Sequence, residues 1–175
     1  MATKANTKAE RKTRRSQTDE PKRAQSSAPD ALELLKQDHR EVEELFDEFS
    51  EMEGDDARKG EIAGRICRAL EVHAEIEEQI FYLRAREATK DDDLIDEAIV
   101  EHASVKHLIG EIEAMEAGEE LYDAKVRVLE EMVKRHIQEE EEELFPELVS
   151  AKMDRKEVGR ELAERKQELM AESKE

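Results

Sequence analysis

The stretch DALELLKQDHREVEELFDEF, residues 30–49, decides the fold. Its apolar residues fall at Leu32, Leu35, Val42, Phe46 and Phe49, and His39 takes the slot between Leu35 and Val42. The steps are 3, 4, 3, 4 and 3, the repeat of one seam along an α-helix. Asp30 stands where an N-cap belongs, with Glu33 three residues later as in a capping box.

Three more seams follow, each with a histidine in an apolar slot. Over about 57–88 the seam is Ile62, Ile66, Ala69, His73, Ile76, Ile80 and Leu83. From the acidic cluster at 91–93 to Gly118 it is Ile95, Ala98, His102, Val105, Ile109 and Ile112. The last is Tyr122, Val126, Leu129, Val133, His136, Glu140, Leu144 and Phe145, with Pro146 expected to end or kink the helix. Residues 152–172 read as a short, strongly charged fifth helix. Short connections make consecutive helices antiparallel. The expectation is an all-α protein: an up-down-up-down antiparallel four-helix bundle over 30–150, with a charged C-terminal helix within 151–175. Residues 1–29 lack periodicity and are expected to form a disordered basic tail; a solubilising role is preferred over a transit peptide or a nucleic-acid arm.

Composition agrees. Charged residues are 44% and aromatic ones 3%, which suits amphipathic helices better than strands rich in aromatic and β-branched residues. The net charge of −19 conceals eight Lys/Arg against three acids in residues 1–29, leaving about −24 on the rest. A body that acidic repels nucleic acid and anionic membranes. One cysteine, Cys67, precludes an internal disulfide. No apolar run is long enough for a membrane span or a signal sequence. These features point to a soluble, cytoplasmic protein without membrane partners.

Four seam histidines, one per helix, call for an explanation beyond ordinary core packing, because each buried ring nitrogen needs a partner. His73 and Glu77 are four residues apart, as are His136 and Glu140, so each pair shares a helix face. A lone HxxxE is common in a Glu-rich chain, and His39/Glu43 and His107/Glu111 are left unassigned. The stronger signal is a repeat. Asp38-His39-x-x-Val42 matches Glu101-His102-x-x-Val105, and HAEIEE from His73 matches HIQEEE from His136. His39 to His73 and His102 to His136 both span 34 residues, and the two hairpins are offset by 63. Packed about a pseudo-twofold axis, they would bring His39, His73, Glu77, His102, His136 and Glu140 to one level of the core. That gives two nitrogens and a share of two carboxylates to each of two metal ions. Imidazole and carboxylate without thiolate suit iron or manganese, and also accept zinc.

On these residues the chain resembles the hemerythrin-like, HHE cation-binding family. The resemblance runs through Asp38-His39, His73-x-x-x-Glu77-Glu78-x-Ile80-Phe81-Tyr82, Glu101-His102-x-x-Val105-Lys106 and His136-x-x-x-Glu140-Glu141 to Leu144-Phe145-Pro146. It covers about residues 31–148. It implies a non-haem di-iron centre, with His39 and His73 on one iron, His102 and His136 on the other, and Glu77 and Glu140 bridging. It also implies binding or sensing of dioxygen, or handling of peroxide, nitric oxide or iron, as in stress responses. Oxygen-carrying members add a helix-three histidine four residues after the first. Lys106 stands there instead, and His107 points about 100° away. Six ligands rather than seven argue against a dedicated oxygen carrier.

Three function classes follow: a di-iron binding or sensing protein, a di-iron peroxidase or oxidase, and a metal-free structural bundle. The sequence offers no cofactor-binding loop or nucleophile motif, so the first is preferred and a catalytic role is not expected. Among lesser features, Tyr82 is placed to reach the site as a proton or hydrogen-bond donor, though the edge of the core is the preferred reading; Glu78 and Glu141 are candidates to support the ligands but are expected in water, His107 on the surface, Met115 and Met132 as core fillers, and Cys67 as a buried inert thiol.

Overall fold

The computed structural model describes Met1 and residues 28–89 and 92–172. The expectation of a disordered tail over 1–29 falls almost wholly outside the described residues. Helix α1 is Ala31–Glu51, capped by the Asp30 carboxylate, which accepts from the Leu32 amide at 3.1 Å. Helix α2, residues 56–88, runs as Asp56–Ile76, passes through a π-helical turn at Glu77–Phe81 and resumes over Tyr82–Ala88. Helix α3 is Asp93–Glu113, shorter than the seam to Gly118 suggests because residues 114–121 form turns. Helix α4, residues 122–150, runs as Tyr122–Glu139, a second π-turn at Glu140–Leu144, and Phe145–Ser150. Helix α5 is Arg155–Glu172. The described residues hold no strand, and the all-α bundle is as the seams indicate. Among them no helix is long and apolar enough to cross a membrane.

The core has two apolar halves. One holds Val42, Phe46, Phe49, Ile62, Ile66, Ile109, Ile112 and Leu129. The other holds Leu32, Leu35, Ile76, Phe81, Ile95, Leu144 and Phe145, and is extended by Val158, Leu162 and Leu169 of α5. Each fully buried large side chain contributes roughly 1.5–3 kcal/mol. The six polar residues of the seams lie between the two halves.

The two π-turns correct the sequence seam. In each, the amide five residues on closes the ring: Tyr82 donates to the Glu77 carbonyl and Phe145 to the Glu140 carbonyl. One extra residue in a turn rotates everything beyond it by about 100°. After Ile76 the core face therefore passes to Phe81 and Ala85. Ile80 is half-buried and Leu83 is 56% exposed. Pro146 does not end α4, because it falls immediately after the reset, in the first turn of the resumed helix. Phe81→Ala should cost about 3–5 kcal/mol in urea unfolding, whereas Leu83→Ser should stay within about 0.5 kcal/mol. Equal costs would restore the uninterrupted seam.

Candidate metal centre

All six residues converge. His39, His73, Glu77, His102, His136 and Glu140 are 0–8% exposed. The His39 and His73 Nε2 atoms are 3.2 Å apart, and those of His102 and His136 are 3.1 Å apart. Glu77 Oε2 lies 3.2 Å from His73 Nε2 and 3.4 Å from His102 Nε2, touching one histidine of each pair. Glu140 Oε2 does the same, at 3.3 Å from His39 Nε2 and 3.6 Å from His136 Nε2. Each carboxylate thus spans the two pairs.

The outer ring nitrogens face a second set of carboxylates, each reaching across to the next helix, and three of the four are hydrogen-bonded to theirs. Asp38 of α1 faces His73 Nδ1 at 3.6 Å, and Glu78 of α2 meets His102 Nδ1 at 3.0 Å. Glu101 of α3 meets His136 Nδ1 at 3.0 Å, and Glu141 of α4 meets His39 Nδ1 at 2.8 Å. A carboxylate only accepts, so Nδ1 of His39, His102 and His136 carries a proton, and in the neutral ring the Nε2 lone pair is directed inward. Glu78 and Glu141 therefore do not face water as the sequence suggested. The repeat had contained this ring, since Asp38 pairs with Glu101 and Glu78 with Glu141 at the same offset of 63.

Inward lone pairs in contact at about 3 Å repel unless a proton or a metal ion lies between them. Two nitrogens on one ion at roughly 2.1 Å and near right angles stand about 3 Å apart, which fits both pairs. Glu77 Oε1 and Glu140 Oε2 are buried and accept no hydrogen bond. Orphaned carboxylate oxygens beside inward imidazoles are a donor set suited to cations. Ligand atoms of His39, His73, Glu77 and Glu140 lie within 4.8 Å of one another, as do those of Glu77, His102 and His136. The cluster is able to bind metal.

Protons compete for the same atoms. Burial disfavours a charged His73, but the Glu77, Asp38 and Glu140 carboxylates outweigh it and push the imidazole up to about 10. His136 is raised against burial by Glu140 and Glu101. Burial opposes ionisation of Glu77 too, yet His73 and His102 hold it well below the usual carboxylate range. A metal ion must displace these protons. A raised histidine stabilises the fold fully below its ordinary value of 6.5, and that stability is lost as pH rises through about 10. Metal-free protein should therefore weaken across this window while metal affinity climbs. Urea midpoints measured across it with and without metal check both, and a flat metal-free profile would count against the arrangement.

Tyr82 is not an edge residue. It is buried, donates to Glu140 Oε1 at 2.9 Å, and lies 3.4 Å from both Glu77 Oε2 and His102 Nε2. The π-turn at Glu77 swings it inward. Its counterpart in the repeat is Phe145, which stacks on His39 at 6.0 Å. One half of the centre thus has a hydroxyl where the other has an apolar ring. Burial and the Glu140 and Glu77 charges raise the phenol well above its ordinary value, so it stays a donor. Tyr82→Phe should cost metal-free protein about 2 kcal/mol, the scale of a hydrogen bond to a charged acceptor. A loss below about 0.5 kcal/mol in urea unfolding would show that the bond contributes little.

A cavity of about 30 Å³ adjoins the histidines, lined by Val42, Leu70, Val105, Val133 and Ile137 among others. It has room for about one small molecule. Lys106 points outward and grips both Glu78 oxygens at 2.7 and 2.8 Å. The His107 side chain is 81% exposed, outside the cluster. Met115 and Met132 pack against the core partly buried. Cys67 is buried, and burial with nearby Glu113 and Glu71 pushes its thiol up to about 12, leaving it unreactive.

The family model for the hemerythrin HHE cation binding domain matches residues 30–148. A DNA nickase from Nostoc sp. is 31% identical over 113 residues, covering 65% of this chain but 32% of that protein. The chain thus spans about a third of that relative's length. A crystal structure of a hemerythrin HHE cation binding domain-containing protein from Mycobacterium kansasii superposes with a TM-score of 0.71. It is 24% identical and covers 82% of this chain and 89% of its own, a likeness of fold. The match of the family model over most of the chain, a span that contains all six of the residues gathered in the core, establishes that this protein belongs to the hemerythrin HHE cation-binding family.

Proposed function

We propose that the chain is a non-haem di-iron protein that binds or senses a small oxidant such as dioxygen or nitric oxide. His39 and His73 would hold one iron and His102 and His136 the other, with Glu77 and Glu140 supplying the carboxylates within reach of both pairs. The observation that carries this reading is the pairing of inward Nε2 atoms at 3.1–3.2 Å, with each buried glutamate touching both pairs. Iron would supply reversible one-electron chemistry and an open coordination position; manganese or zinc fits the same donors without that redox behaviour or with less of it. The small cavity beside the histidines is of a size to take a diatomic molecule. The outer carboxylates fix the imidazole orientation.

Iron-loaded protein should show a visible spectrum in air that changes on reduction and returns on readmission of oxygen, with a distinct form under nitric oxide. A featureless, unresponsive spectrum with iron bound would defeat the reading. One observation favours a second reading, a di-iron peroxidase or oxidase: the Tyr82 hydroxyl is a proton donor aimed into the cluster. Peroxide turnover over many cycles, slowed at least tenfold by Tyr82→Phe, would select it. The acidic body supports neither nucleic-acid binding nor transfer of the nickase activity named for the Nostoc protein, and it fits a cytoplasmic protein.

A further inference from the structure

Each carboxylate of the outer ring is itself held by a cation. Arg40 grips Glu141 at 2.6 and 2.9 Å, Lys106 grips Glu78, and Arg135 donates to Glu101 at 2.8 Å. These three come from the bundle. Asp38 is the exception. By the offset of 63, the counterpart of Arg135 is Val72, which is buried and apolar. The cation on Asp38 comes instead from outside the bundle: Lys166 of α5 donates to Asp38 Oδ1 at 2.6 Å.

We infer that Lys166 is a positioning residue for the metal centre, acting through Asp38 on His73, and that α5 is a working part of the site rather than an appendage. This rests on the di-metal reading above. Lys166 stands in the stripe Val158, Leu162, Leu169 that α5 buries, where the spacing calls for an apolar residue. It occupies Oδ1 and leaves Oδ2 for the ring. Asp38 Oδ2 and His73 Nδ1 are both buried, neither makes a hydrogen bond, and they face each other at 3.6 Å. A closure of a few tenths of an ångström completes the bond. Without the ammonium, Asp38 would be a buried carboxylate free to turn away, and His73 alone of the four histidines would lose its orienting partner.

The docking of α5 is independently built. The Gly159 backbone lies so close to α1 that a Cβ there would stand 2.0 Å from the Pro29 carbonyl oxygen. Arg84 pairs with Glu161 at 2.9 Å, and Arg165 with Glu75 at 3.0 Å. These contacts allow loosening of α5 to be separated from loss of the Lys166 link.

The test is chelator-driven release of ferrous iron from loaded full-length protein, resolved into two phases. Lys166→Met should speed one phase about 10–100-fold, the scale of losing an outer partner of a metal-bound histidine, and leave the other unchanged. Lys166→Arg should restore the slow phase, and Glu161→Ala should alter neither. Wild-type rates in Lys166→Met, equal acceleration of both phases, or the same effect from Glu161→Ala would each overturn the inference while leaving the di-iron reading intact. A second arm needs no metal: solvent exchange of the His73 Nδ1 proton by NMR should quicken at least tenfold in Lys166→Met, with the other three ring protons unaffected. If wild-type protein takes up no ion pair, the di-iron reading fails by itself, and this arm decides Lys166: unchanged exchange would overturn its role.

Discussion

Removing the metal from loaded protein should lower its thermal midpoint by about 10–20 °C. Each site held at about 100-fold over its dissociation constant adds roughly 2.7 kcal/mol, so two add about 5 kcal/mol. For a chain of this size one kcal/mol is worth about 2–4 °C. The structural reason lies between the two apolar halves of the core. Without metal, four imidazoles and two carboxylates must share buried space using protons alone, and Glu77 Oε1 and Glu140 Oε2 remain without donors. Metal bound to the folded chain would remove that cost. Scanning calorimetry before and after chelation, and again after metal is restored, measures it. A midpoint unmoved by chelation and reloading would mean that the cluster is structural, as a metal-free bundle requires.

Glu77→Gln carries the other large effect. The amide keeps the volume of the side chain, so Phe81, Ile76 and the rest of that half of the core stay packed. What disappears is one negative charge placed between His73 and His102. A carboxylate shared by two dications contributes more than an outer-ring partner, whose loss costs about 10–100-fold. Metal affinity should therefore fall at least about 100-fold, and both ions should be affected because Glu77 touches both pairs. The number of protons released on metal uptake should also fall, since Glu77 is the first of the carboxylates holding His73 up. Equilibrium metal competition and a pH-stat record the two. Loss of a single ion would show that Glu77 serves one position only.

The bundle and its histidines are legible in the sequence for the same reason. A polar residue in an otherwise unbroken seam stands out, and His39, His73, His102 and His136 each interrupt one. Glu77 and Glu140 are legible only through the repeat, because chance HxxxE pairs abound in a chain with 48 acids. That abundance also hides the outer ring: nothing local distinguishes Glu78 or Glu141 from the solvated glutamates beside them until the neighbouring helix is in place. The π-turns are hidden for another reason. Ile80, Phe81, Tyr82 and Leu83 are all apolar or aromatic, so a seam drawn through Ile80 and Leu83 looks as sound as the one the structure uses. The turn at Glu77 sends Phe81 and Tyr82 inward and Leu83 out, and with it the hydroxyl that makes the two halves of the centre unlike. Lys166 is obscured by its setting, a helix so charged that one more lysine attracts no notice.

The most direct test of the centre is an anaerobic titration of metal-free protein with ferrous iron, followed by metal analysis after desalting. The expected result is a break and a retained stoichiometry at about two irons per chain, one for each histidine pair. Retention of under about half an iron per chain, or a break at one, would contradict it.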